Sequence, residues 1–166
     1  MNIICNSSII IILSELGKLE ILWKLFDGIF VPIAVYNEVC VNGAGRPGSS
    51  ELKRALDERK AILVQVKNKL LVESLYNPLG RGEAEVIVSA VETNADIVGL
   101  DDKIARNKAR QFGLNVIGTL GILGLALKNK IISEREFLSL IARLRKTDFR
   151  ISNHIIKEFL KKMEEK

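Results

Sequence analysis

Four polar residues carry the chemistry that can be read from this chain: Asn6, Glu38, Glu83 and Asp101. Each falls at or near the end of a short apolar run or the start of a helical stretch, and three of them are acids. Oxygen donors without nitrogen or sulfur suit a hard cation such as Mg2+ or Mn2+. Such an ion keeps several waters and takes one or two protein carboxylates together with phosphate oxygens. Zinc is disfavoured because it prefers His and Cys. The one histidine, His154, lies on the expected terminal helix, where it reads as structural or exposed. Cys5 and Cys40 stand in apolar contexts outside any CxxC or Cys/His cluster, as two buried thiols in a reducing compartment would.

Helical geometry discriminates among the acids of Gly82-Glu83-Ala84-Glu85. Ala84, Ile87, Val88 and Val91 form an i, i+3, i+4, i+7 stripe that should face the core. Glu83 and Glu85 lie roughly 200° apart around the axis, so they cannot enter one pocket together. Glu83 is nearer the helix start, where it serves equally well as a ligand or as a charge meeting the helix dipole. Glu38 lies about 9 Å along a helix from Pro32 and can reach the same edge. Asp101 ends an apolar run, and Asp102 after it reads as an auxiliary acid or as a helix cap. Lys103, Arg106 and Arg110 recur at i, i+3, i+7 and could contact phosphates, although a plain solvated face is the stronger reading.

The elements that must position these residues alternate in period. Five short β-branched runs are expected as strands: Ile3 to Cys5, Ile29 to Val31, Ile62 to Val66, Ile97 to Leu100 and Asn115 to Ile117. Helical stretches separate them, with start signals at Ser7-Ser8, Pro32 and Gly82-Glu83. This alternation predicts repeated βα units around a mostly parallel sheet, whose right-handed crossovers bring strand ends and helix starts to one edge. Asn42 to Ser50 (NGAGRPGSS) is expected as a mobile loop or lid. Further helices are expected from about Thr119 to Lys128, from the capping pattern Ser133-Glu134-Arg135-Glu136, and after Ser152.

At 166 residues the chain fits one domain, with residues 131–166 as a C-terminal helical extension packed on it. Ile9 to Leu13 is too short to cross a bilayer, and the N-terminus reads as a strand leading into a helix rather than a leader, so a cytoplasmic protein without membrane contact is expected. A net charge of +5 favours a polyanionic partner. No GxxxxGK[ST] occurs, which disfavours a P-loop, and the turn after the first strand lacks the glycines of a dinucleotide site. A receiver-type phosphoacceptor would need acids where Asn6-Ser7 and Val66-Lys67 stand.

Taken in order, Asn6-Ser7-Ser8, Val31-Pro32 through Val35-Tyr36-Asn37-Glu38-Val39, Gly82-Glu83-Ala84-Glu85, Leu100-Asp101-Asp102 and Gly118-Thr119-Leu120-Gly121 resemble the motifs of PIN-domain proteins. More narrowly, the chain resembles the branch with a GEAE motif and a C-terminal stretch like Thr147-Asp148-Phe149-Arg150-Ile151-Ser152, so the resemblance covers nearly its whole length. It implies a three-layer α/β/α fold with a parallel sheet in the order 3-2-1-4-5 and a Mg2+- or Mn2+-dependent ribonuclease site. It also implies partners in the manner of VapC-type toxins: RNA, an antitoxin protein and a second copy in a homodimer. Carried over by position, the acidic quartet falls on Asn6, Glu38, Glu83 and Asp101, with Ser8 and Thr119 as auxiliary polar groups and Asp102 as a further acid. The departure is Asn6, where the family generally has Asp. An amide oxygen can coordinate but brings no charge, so cation affinity should fall. The alternative expectation is therefore a PIN-like module that binds RNA or protein with weakened or no catalysis.

Overall fold

The computed structural model describes residues 1–147 and residue 161. The chain divides into a first compact unit, Met1–Ile131, and a second that begins at Ile132. In the first unit five strands form one sheet: β1 (Asn2–Cys5), β2 (Gly28–Pro32), β3 (Ile62–Val64), β4 (Ile97–Gly99) and β5 (Val116–Ile117). All four pairings are parallel and the order is β3-β2-β1-β4-β5. On central β1, Ile3, Ile4 and Cys5 are fully buried although successive side chains point to opposite faces, as in an α/β sheet covered on both sides. On edge strand β3, by contrast, Ile62 and Leu63 are exposed.

The helices of this unit are α1 (Ser7–Glu15), α2 (Ile21–Leu25), α3 (Ile33–Tyr36), α4 (Ser49–Asp57), α5 (Lys69–Leu75), α6 (Arg81–Thr93), α7 (Lys103–Gln111) and α8 (Thr119–Lys128). Between α3 and α4 a π-helical turn spans Asn37–Val41, closed by a bond from the Asn42 N–H to the Asn37 carbonyl at 2.8 Å. The second unit contains α9 (Glu134–Leu144), whose start is capped by Ser133 Oγ accepting from the Glu136 N–H at 3.2 Å. Its buried residues are Phe137, Leu140, Ile141 and Leu144, one face of the helix. No described helix is long and apolar enough to cross a membrane.

Several expectations shift. The third strand stops at Val64 rather than Val66, because the backbone N–H groups of Lys67 and Asn68 turn to the Glu92 carboxylate at 2.6–3.1 Å instead of extending the ladder. Ser49 and Ser50 belong to α4, and the turn before them is tied down: Arg46 N–H reaches the Gly43 carbonyl at 2.9 Å. Gly48 closes it with φ +95°, its backbone packed so that a Cβ would lie 3.3 Å from Val39 and 3.4 Å from the Ile11 Cα, which favours glycine there. The core face of α6 is broader than the expected stripe. Val86 and Ala90 are fully buried while Val91 is 39% exposed, because α6 packs against α3, α5 and α7 as well as against β1, β2 and β4. The expected last helix and His154 lie outside the described residues.

Candidate active site

Because every strand runs the same way, the residues that follow β1, β4 and β5 emerge at one edge of the sheet. Asn6 follows β1 and its backbone N–H bonds the Gly99 carbonyl of β4 at 3.1 Å. Its side chain is buried and its amide oxygen accepts from the Ser7 N–H at 2.8 Å, capping α1. Ser8, on the first turn of α1, has a buried Oγ without a hydrogen-bond partner among the described residues. Beneath the edge, burial and the nearby Asp101 charge push the Cys5 thiol up to about 12, so this cysteine is inert.

Asp101 stands two residues beyond the end of β4 and is half-buried. Both its oxygens are engaged by Thr119: the backbone N–H donates to Oδ1 at 2.8 Å and the hydroxyl to Oδ2 at 2.7 Å. Burial pushes the Asp101 carboxyl above its ordinary value, opposed by those two bonds and by the Arg106 charge. Gly118 makes the approach possible, since a Cβ there would lie 2.8 Å from Asp101 Oδ1. Asp102 caps α7, its Oδ1 accepting from Ile104 and Ala105 N–H at 2.8 and 2.9 Å.

On the other side of the edge, the π turn delivers Glu38 to the start of α6. Glu38 Oε1 accepts from the Gly82 N–H at 3.2 Å, and a Cβ on Gly82 would fall 2.6–2.7 Å from the two carboxylate oxygens. Glu83, the next residue, reaches back so that its Oε2 accepts from the Gly80 N–H at 3.2 Å. Burial raises the Glu83 carboxyl above its ordinary value, the Gly80 bond opposes this, and the charges of Asp102 and Glu38 raise it further. Glu85 is directed elsewhere, to the Ala34 N–H at 2.9 Å and to Arg81 at 3.7 Å.

A family model described as a PIN domain matches residues 2–165. This chain belongs to the PIN domain family. It is also similar to a PilT N-terminus domain protein of the hyperthermophilic archaeon Sulfolobus solfataricus P2, with 25% identity and a TM-score of 0.52, covering 76% of this chain and 94% of that one. No curated protein matches it. PIN domains are generally nucleases and generally use divalent metal ions.

Against that background, this PIN domain's edge residues fall into two groups. Glu38, Glu83 and Asp102 share a field, whereas Asp101 is held by Thr119 and Arg106. Among the described residues no three of His, Cys, Asp or Glu come together as a ready-made metal cage. What is present is an oxygen-only set with two neighbouring carboxylates, Glu38 and Glu83, whose charges oppose one another, and an unpartnered Ser8 hydroxyl at the same edge. That donor chemistry fits a hard cation that completes its shell with water and phosphate oxygens.

The basic residues of α7 also divide. Lys103 is exposed, the Arg106 charge acts on the Asp101 carboxyl, and Arg110 donates to the Asn107 side-chain oxygen at 3.2 Å. Gly82 and Gly118, which admit Glu38 and Asp101, carry no signal of that role in their spacing. The one trace of it is that Gly82 opens the GEAE motif and Gly118 precedes Thr119.

Proposed function

We propose that this PIN domain is a ribonuclease that hydrolyses RNA phosphodiester bonds with Mg2+ or Mn2+ held by Glu38 and Glu83. The observation that carries the proposal is the seating of the Glu38 carboxylate against Gly82, one residue before Glu83. It juxtaposes two acids separated by 45 positions in the chain. Asp102 adds negative potential from the start of α7, and Asn6 offers an uncharged oxygen. A bound divalent ion supplies Lewis acidity, lowering the pKa of an attacking water and stabilising the charge that develops on the phosphoryl oxygens. Under this proposal Asp101, held by Thr119, adds a carboxylate at the same sheet edge, and the exposed Lys103 meets an RNA phosphate. In this reading the chain works in the cytoplasm as the toxin of a toxin–antitoxin pair, and probing for an antitoxin protein and a homodimer belongs with it. Support for those partners is the resemblance to VapC-type toxins.

A second reading, a binding module with a weakened site, is favoured by Asn6: its amide oxygen caps α1 and contributes no charge. Mn2+-dependent cleavage of mixed RNAs separates the two. Activity abolished in Glu83→Gln and increased in Asn6→Asp is the expected result. RNA binding without cleavage in the native chain and in both variants would overturn the nuclease in favour of the module.

A further inference from the structure

Beside the acidic edge lies a cleft of ≈290 Å3 between the α5–α6 connection and α7. Leu75, Leu79 and Ile104 supply apolar surface, while Asn77, Asn107 and Gln111 supply uncharged side-chain amides and Lys108 the one charge. Both walls begin at the candidate site. Leu79 precedes Gly80, which donates to Glu83, and the Ile104 N–H donates to Asp102. Two further clefts mix carboxylates with cations: Glu20, Glu51 and Glu58 with Arg54 and Lys60 in one, and Glu73 and Glu85 with Lys69 and Arg81 in the other, where Arg81 pairs with both acids at 3.6–3.7 Å. The cleft at α7 contains no carboxylate, so Lys108 there is not offset by an acid of the lining.

Neutral amides over an apolar floor suit one class of group, a ring whose faces are apolar and whose edge carries alternating donors and acceptors. Proteins read single-stranded RNA in this way, by splaying out unpaired bases and hydrogen-bonding their edges. The Asn107 side chain is pre-oriented: its oxygen accepts from Arg110 at 3.2 Å, which leaves its N–H pair to donate. Lys108 has the charge to meet a flanking phosphate. We propose that this cleft is a base-recognition subsite, in which Asn107 and Gln111 read an unpaired nucleobase of the RNA and set sequence preference next to the cleavage site. The subsite rests on the ribonuclease reading for its purpose, but its binding is testable without cleavage.

The test uses the full chain and labelled single-stranded decamers of A, C or U, with affinity read by fluorescence anisotropy in EDTA so that no cleavage intervenes. The native chain should bind one decamer about tenfold more tightly than the poorest, within what one well-paired amide contributes to discrimination. The Asn107→Ala/Gln111→Ala variant should bring that ratio below about twofold, whereas Lys53→Ala on α4 leaves it unchanged. Both substituted amides are exposed, so the fold should tolerate their loss, and a thermal melt confirms this. A ratio unaltered by the double substitution overturns the subsite, as does a native chain that binds the three decamers equally or not at all. Cleavage of mixed RNA in Mn2+ is scored separately. Discrimination without cleavage sinks the nuclease and leaves the subsite standing, and cleavage with unaltered discrimination does the reverse.

Discussion

Glu83 is asked to do two things that conflict. As a cap it accepts the Gly80 N–H, and as a candidate ligand it keeps its charge half-buried beside Glu38 and Asp102. Its carboxyl is raised in the folded chain, so ionising it costs stability. That cost is fully present above the folded-state value and disappears as pH falls below the ordinary carboxylate range. Glu83→Gln keeps an acceptor for Gly80 and removes the charge. The variant should therefore melt at a higher temperature than the native chain at pH 7.5, with the gap closing near pH 4, while its Mn2+-dependent RNA cleavage is lost. Equal melting at both pH values would show that the neighbouring acids do not burden this site. Thr119 presents the opposite case, a fully buried residue whose hydroxyl satisfies a carboxylate. Thr119→Val conserves shape but removes that bond to Asp101, which should cost about 1.5–3 kcal/mol in chemical denaturation at neutral pH.

At the scale of elements, the apolar runs were enough to place the strands and to foresee the carboxyl edge on which Asn6 and Asp101 emerge, because β-branched residues at β1 and β4 are buried by the same sheet they build. What could not be read was anything set by a distant partner. Val66 looks like a strand residue, yet the backbone after it turns to Glu92 from another helix. Glu38 could be chosen by type, but not the π turn that brings it onto α6 or the missing Cβ at Gly82 that accepts it. That pairing separates stability from function. Gly82→Ala gains up to about 1 kcal/mol of helix propensity and pushes only the mobile end of a Glu side chain, so the melting temperature should hold or rise. The displaced Glu38 carboxylate should nonetheless lower cleavage at least tenfold, on the order of 1.4 kcal/mol of transition-state stabilisation. A Gly82→Ala chain with native turnover would remove Glu38 from the site.

For the whole molecule the question is whether RNA is attracted by the chain's net charge of +5 or held by a defined surface. The two differ in salt dependence, because each neutralised phosphate on a single strand releases counterions and contributes about −0.7 to the slope of log K against log salt. If the excess charge acted diffusely, a slope of about −3.5 would result and no single lysine would matter. The proposed site predicts a local contact. The charge of Arg106 is partly offset by the nearby Asp101 carboxylate, so Lys103, Lys108 and Arg110 are the α7 cations taken as phosphate contacts. Three contacts predict a slope of about −2, and Lys103→Ala should flatten it to about −1.4 while weakening all sequences alike, as a phosphate contact does. Arg106→Ala should change the slope less than Lys103→Ala, since the Asp101 carboxylate offsets part of its charge. Titrations from low to physiological salt on the native chain and these two variants decide the matter. A steep slope indifferent to Lys103 would place RNA away from α7, and with it away from the edge where Glu38, Glu83 and Asp101 emerge.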